Sequence, residues 1–257
     1  MKYEIDTSII KSTHVAIIGV DGSGKSSCFN SVFKSLQYKK KAAIGDDVFI
    51  SVNKGIVRPK LFLLRMKLIL GRRVKGIKNR KLYRIFKFIE LLMRVKIFYL
   101  INRKYSPEII LTDGSPLINI LGWGHYYCPD IYGKELCEEA IKYMTGTKIP
   151  KNRKVFFKKH SREMLAINRL GVKFHVPELV FLLKVTPEEA INRIKHRHEE
   201  IQVHETKTFL SNLQDSYEII CNILKKSKTV SINTDNKTIE DVAGKILLEI
   251  EKNLKAQ

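Results

Sequence analysis

Acidic side chains are scarce in this 257-residue chain: 26 Asp and Glu stand against 47 Lys and Arg, a net charge of +21. The deficit is local. Lys54 to Lys104 holds 17 basic residues and one acid, Glu90, whereas the rest carries 30 basic and 25 acidic groups, an ordinary balance for an enzyme. Cysteine is thin as well. Cys28, Cys128, Cys137 and Cys221 form no C-x-x-C pair and no regular spacing, so neither a disulfide framework nor a zinc site is indicated, and a reducing, cytoplasmic compartment is expected. His196, His198 and His204 lie close together, but no cysteine or carboxylate set completes a metal site with them. No apolar run makes a convincing membrane span, since Leu61–Leu70 is short and Ile85–Ile101 is interrupted by charges. The N-terminus lacks signal-peptide architecture, because its first apolar run feeds a glycine-rich turn. Repeats and low-complexity tracts are missing too. What remains is an ordinary globular composition, 44% hydrophobic and 28% charged, in a length that suits one domain.

The glycine-rich turn is the most informative stretch present. Gly19-Val20-Asp21-Gly22-Ser23-Gly24-Lys25-Ser26-Ser27 follows the apolar run Val15–Ile18 and precedes a helix-compatible segment, Ser26 to Gln37. It fits G-x-x-x-x-G-K-[ST] at Gly19, Gly24, Lys25 and Ser26. Glycines let backbone N–H groups turn inward around phosphate oxygens, and the helix N-terminus adds its positive dipole end. Lys25 would reach the β- and γ-phosphates, and the Ser26 hydroxyl would ligate Mg²⁺.

Further strands are expected near Asp47–Val52, at Glu108–Thr112, Leu179–Val185 and Thr229–Asn233. Helices are expected across Leu61–Leu70 and Ile85–Ile101, after Pro187, from Glu205 to Lys226 and from about Thr238. Along the second of these, Arg84, Lys87, Glu90 and Arg94 recur at three- and four-residue steps as a polar stripe. Thr186-Pro187-Glu188-Glu189 reads as an N-cap, a first-turn proline and a capping box. Strands alternating with helices, several of them uninterrupted apolar runs, indicate a parallel sheet covered on both faces. Ligands in such sheets bind beyond the carboxyl ends of the strands, where the phosphate loop and Asp113 both fall. Asp113 is the natural carboxylate for Mg²⁺. Arg193 and Arg197, four apart on one helix face, are candidate cations for a transferred phosphoryl group, with residues 190–204 as a flap that excludes water. The guanine signature N-K-x-D is incomplete at both Asn53-Lys54-Gly55-Ile56 and Asn233-Thr234-Asp235-Asn236, which argues against a switch GTPase.

Gly19 to Ser26 resembles the phosphate loop of thymidylate kinases, nucleoside monophosphate kinases of the P-loop superfamily. The similarity resumes at Pro177–Ala190, Arg193–Arg197, Glu205–Leu210, Tyr217 and Ser231-Ile232-Asn233, covering residues 13–38 and 176–253, and 108–116 in part. It implies a three-layer P-loop NTPase fold with a parallel five-stranded sheet and helices on both faces, spanning 1–257 as a single kinase domain. It also implies ATP and Mg²⁺, with Lys25, Arg193 and Arg197 as phosphate cations, and a loop near Asn233 and Thr234 beside the adenine. Asp21 would contact the acceptor sugar, and a homodimer is the implied assembly. Two acceptor-side elements differ. The Arg-Glu-Pro-Gly stretch of that family has no counterpart between residues 45 and 60, and Gly114 stands where the family has arginine after the strand-ending Asp.

The acceptor therefore stays open: a nucleotide or another small phosphorylated molecule. Trp123, Tyr126 and Tyr127 would either stack on it or join the core, and the seven basic residues between Lys148 and Arg162 would grip its phosphate or lie in solvent. The basic helical insertion at 54–104 admits three explanations: an anionic membrane surface, a nucleic acid (as in a polynucleotide kinase), or a lysine-rich exterior of helices packed on the sheet. The alternative to a small-molecule kinase is an ATP-binding protein associated with a membrane or nucleic acid through these helices.

Overall fold

The computed structural model describes residues 12–52, 55–77, 79–196 and 205–254. Five strands pair in parallel at its centre. β1 (Thr13–Gly19) lies between β5 (Ile109–Asp113) and β6 (Leu179–Lys184), with β2 (Lys41–Ile44) outside β5 and β7 (Lys228–Asn233) outside β6. Alternation puts Val15 and Ile17 on one face and Ala16 and Ile18 on the other, and all four are buried. Both faces therefore need a helical cover.

On the first face α1 (Lys25–Ser35) and α11 (Ile239–Leu254) lay Phe29, Val32, Val242 and Ile246 over Val15, Ile17 and Phe181. On the second, α3 (Arg80–Tyr105), α4 (Pro116–Tyr127) and α10 (Lys207–Ile223) bring Leu91, Leu117, Leu121 and Leu213 onto Ala16, Ile18 and Leu182. Helix α2 (Phe62–Lys75) packs against α3, and α5 (Pro129–Tyr132), α6 (Lys134–Thr145), α7 (Lys151–His160) and α8 (Arg162–Leu170) extend that layer. The result is a three-layer α/β arrangement.

The expected sheet of five strands has seven. β3 (Val48–Val52) and β4 (Gly55–Val57) add an antiparallel meander beyond β2, so the order is β4-β3-β2-β5-β1-β6-β7. The strand expected at Asp47–Val52 exists as β3, but the parallel neighbour of β5 is Lys41-Ala42-Ala43-Ile44, which has little strand propensity of its own. Its lysine is buried because its ammonium donates to the carbonyls of Phe33, at 2.7 Å, and Leu36, at 2.6 Å, closing the C-terminal end of α1.

Helix α9 (Pro187–Lys195) starts as its sequence suggests, with the Thr186 hydroxyl accepting from the Glu189 N–H at 3.4 Å. The reciprocal half of the capping box is replaced. The Thr186 N–H donates to Asp235 Oδ1 at 3.1 Å, and the Glu189 carboxylate turns instead to Arg193 at 2.8 Å. No helix among the described residues is long and apolar enough to cross a membrane.

Candidate active site

The turn between β1 and α1 is shaped by its glycines. Gly22 has φ +81°, and a Cβ there would stand 2.5 Å from the Ala190 carbonyl oxygen of α9, so the loop closes on that helix only without a side chain. Gly24 occupies the N-cap of α1 and provides no side-chain hydrogen bond, which leaves the first-turn amides to a ligand. Ser23 Oγ is buried and has no partner among the described residues. The Lys25 ammonium sits between Asp21 Oδ1, at 2.7 Å, and the Val20 carbonyl, at 3.3 Å. Ser26 Oγ donates to Asp113 Oδ2 at 2.7 Å, and Ser27 is exposed on the outer side of the first turn. This serine–aspartate contact follows from the sheet register, since Asp113 ends β5 opposite Ile17 of β1. The other oxygen, Asp113 Oδ1, is buried without a partner among the described residues.

Arg193 reaches the same loop from α9. Its guanidinium donates to the Thr234 carbonyl at 2.8 Å, to Thr234 Oγ1 at 3.3 Å and to the Gly22 carbonyl at 3.4 Å. It therefore ties the phosphate loop to the connection between β7 and α11. Thr234 is buried there, while Asn233 is exposed and accepts from the Asp235 N–H at 2.7 Å, shaping the turn. Arg197 and residues 198–204, the outer part of the expected flap, lie outside the described residues.

A cleft of about 540 Å³ opens beside the loop. Gly19, Asp21, Lys25, Ser26 and Asp113 form its floor, and Asn119, Trp123 and Tyr217 from α4 and α10 form one wall. The opposite wall is the basic segment itself: Lys67 and Arg72 from α2, and Tyr83, Lys87, Glu90 and Arg94 from α3. Tyr83 and Trp123 stack across the cleft with ring centroids 6.0 Å apart.

Arg94 is the organising residue of that wall. Its fork donates to Glu90 Oε1 at 3.0 Å, to the Asp113 carbonyl at 2.9 Å and to Asp46 Oδ1 at 3.1 Å, joining α3, the end of β5 and the turn after β2. Glu90 also takes the Lys87 ammonium at 2.7 Å. Burial alone would raise the Glu90 pKa, but Arg94 and Lys87 outweigh it and bring the carboxyl down to about 2. Lys67 is buried and donates to the Gly45 carbonyl and, at 2.6 Å, to the Asp46 carbonyl; burial lowers its pKa to about 8.

Of the candidate acceptor residues, Trp123 lines the cleft. Tyr126 packs against Tyr127 and Phe209, each with ring centroids 4.9 Å apart, and both tyrosines rest against the core. None of the seven basic residues between Lys148 and Arg162 lines the cleft, and Arg153 pairs with Glu139 at 3.0 Å. Lys67, Arg72, Lys87, Glu90, Arg94 and Asp46 were not among the candidates. The signal for three of them is the Arg84–Lys87–Glu90–Arg94 stripe, of which only Arg84 turns elsewhere, to Glu163 at 3.3 Å and the face of Tyr127.

No family model matches the sequence, and no curated protein matches it. Solved structures do. Thymidylate kinase from Candida albicans superposes with a TM-score of 0.52 at 14% identity, over 96% of this chain and 94% of that one. The fold is thymidylate kinase-like. Deoxyadenosine kinase from M. mycoides, solved with dCMP and dCDP bound, aligns over 93% of this chain and all of that one, at a TM-score of 0.49 and 14% identity. Within a thymidylate kinase-like fold the parallel strands β2-β5-β1-β6-β7 are the core, and β3 and β4 are an edge addition to it.

Proposed function

We propose that the protein is an ATP- and Mg²⁺-dependent phosphotransferase that moves the γ-phosphoryl group of ATP to a nucleotide or another small phosphorylated acceptor. One observation carries the reading: the Ser26 hydroxyl meets the Asp113 carboxylate at 2.7 Å, next to Lys25, on the floor of a cleft large enough for a second substrate.

The residues fit the metal. A hydroxyl and a carboxylate with one buried, unpartnered oxygen are hard oxygen donors of the kind Mg²⁺ takes, directly or through its waters. Bound there, Mg²⁺ would neutralise charge on the phosphate oxygens. The chain's own residues do the rest. Amides of the loop and the first turn of α1 hold the donor phosphates, and the Lys25 ammonium exchanges its contacts with Asp21 and Val20 for phosphate oxygens. Arg193 keeps the loop in register with Thr234 beside the adenine. Arg197 would supply a further cation from the flap at 190–204.

On this reading the insertion at 54–104 is the acceptor wall. Lys87 and Arg72 grip the acceptor phosphate, and Tyr83 with Trp123 takes a flat ring or sugar face. Arg94, whose charge is already met by Glu90 and Asp46, positions the wall. It also brings a guanidinium to the Asp113 carbonyl, beside Gly114, from α3 rather than from the strand end. The acceptor phosphate oxygen forms a bond to the γ-phosphorus as the bond to the β–γ bridging oxygen breaks and ADP leaves. That nucleophile is already anionic, so positioning and charge stabilisation suffice.

The test is ADP release measured with a panel of nucleoside monophosphates and phosphosugars. The reading requires at least one panel member to raise release about tenfold or more over ATP alone, and Lys25→Ala to lower the acceptor-dependent rate by roughly a hundredfold or more with the fold retained. Stimulation that survives Lys25→Ala, or none from any acceptor, refutes it.

A further inference from the structure

The side of the α2–α3 pair that faces away from the cleft is unlike the rest of the surface. Thirteen large apolar side chains are exposed among the described residues, and nine of them lie between Ile56 and Leu100. Phe62, Met66 and Ile69 of α2 are 77%, 45% and 54% exposed, and Leu82, Ile85 and Ile89 of α3 are 49%, 54% and 40%. Spacings of three and four residues put each trio on one side of its helix, opposite the cleft residues Lys67 and Gly71 of α2 and Lys87 and Arg94 of α3. Exposed Arg65, Arg73, Lys81 and Lys96 fringe the two trios. The segment itself brings no carboxylate to this face, because the one acid between 54 and 104, Glu90, is buried and paired on the cleft side.

We propose that this face docks on an anionic lipid surface, with the apolar trios dipping below the headgroups and the basic fringe meeting lipid phosphates. The inference does not depend on the phosphotransferase reading. Apolar exposure clustered on two helices that pack together marks an interaction site, and charge decides between occupants. A two-fold contact between two copies would set the same cations against one another. A nucleic acid would satisfy the cations but leave Phe62, Ile69 and Ile85 in water, since backbone phosphates make no use of aliphatic side chains. An anionic bilayer satisfies both kinds of side chain.

The experiment is co-sedimentation of the full chain with vesicles of phosphatidylglycerol and of phosphatidylcholine, at low and high salt. Sedimentation equilibrium without lipid and a titration with single-stranded RNA run in parallel. Binding is expected to phosphatidylglycerol, to weaken with salt and to be far poorer to phosphatidylcholine. Replacing both Arg65 and Arg73 with Gln should weaken partitioning roughly 30-fold, and Phe62→Ser alone about tenfold. Leu248→Ser, at a side chain 60% exposed on α11, should leave it unchanged. All three sets alter exposed side chains, and circular dichroism checks that each folds. Three results overturn the proposal: no vesicle binding (with self-association or RNA binding that Phe62→Ser abolishes naming the other occupant), equal binding to both lipids, or phosphatidylglycerol binding that neither Phe62→Ser nor the paired arginine replacement weakens.

Discussion

Glu90→Gln isolates the charge at the centre of the cleft wall. The substitution keeps the shape of a side chain that is 3% exposed but removes the anion lying 2.7 Å from the Lys87 ammonium and 2.9 Å from the Arg94 guanidinium. Lowering the carboxyl from 4.5 to about 2 on folding corresponds to about 3 kcal/mol at neutral pH. That agrees with the roughly 3–5 kcal/mol lost when one member of a buried ion pair is removed. The sign with pH follows from the depressed value. Stabilisation is complete above the unfolded-chain value of 4.5 and is lost as pH falls toward about 2. The difference between wild type and variant should thus be about 3 kcal/mol at pH 7 and about 2 kcal/mol at pH 3.5, falling toward zero below about pH 2. Urea unfolding followed by circular dichroism measures it without adding the ions that guanidinium would bring. A difference below about 1 kcal/mol at pH 7, or one that does not change down to pH 3.5, would show that the carboxylate charge does not hold this wall together.

Two neighbouring glycines should respond differently to alanine. Gly22→Ala meets the Ala190 carbonyl at 2.5 Å and should cost about 3 kcal/mol or more by thermal unfolding, whereas Gly24→Ala finds nothing within 4 Å and should cost only the roughly 1–2 kcal/mol of its positive φ. Equal costs would refute the described closure of the loop on α9. Asp113→Asn should raise the Mg²⁺ concentration for half-maximal turnover by tenfold or more, read from a metal titration of ADP release; an unchanged titration removes Asp113 from the metal site. Arg193→Lys breaks a three-way fork that an ammonium cannot reproduce, and should weaken ATP binding by about tenfold in calorimetry. Wild-type affinity in that variant would mean the tie between Gly22 and Thr234 does not preorganise the loop.

The phosphate loop and the elements around it were legible because their signals are local. The phosphate loop is a contiguous pattern, β1 and β6 are uninterrupted apolar runs, and Thr186-Pro187 marks the start of α9 whatever surrounds it. β2 was not legible, because Lys41-Ala42-Ala43-Ile44 is a strand only through its neighbour β5 and the helix end its lysine closes. The α2–α3 wall of the cleft escaped for a related reason. Period alone showed that Lys87, Glu90 and Arg94 share a stripe, but the partners that make it a cleft wall, Asp46 and the Asp113 carbonyl, lie 48 and 19 residues from Arg94. Tyr126 and Tyr127 take the second of the two places open to them, since proximity to a site in sequence does not stop a ring from joining the core.

The short strand β4 bears on how the protein behaves when concentrated. A sheet edge is a template on which a second chain can extend the hydrogen-bond ladder, the first step toward aggregates. β4 offers three residues, and Arg58 and Pro59 follow at once, the arginine lying back over the Phe49 ring and pairing with Asp47 at 3.0 Å. Proline has no amide hydrogen to donate, so a stranger aligning there runs out of ladder within one or two bonds. The meander that lengthens the sheet beyond its parallel core thereby also finishes it, turning an adhesive border into an inert one.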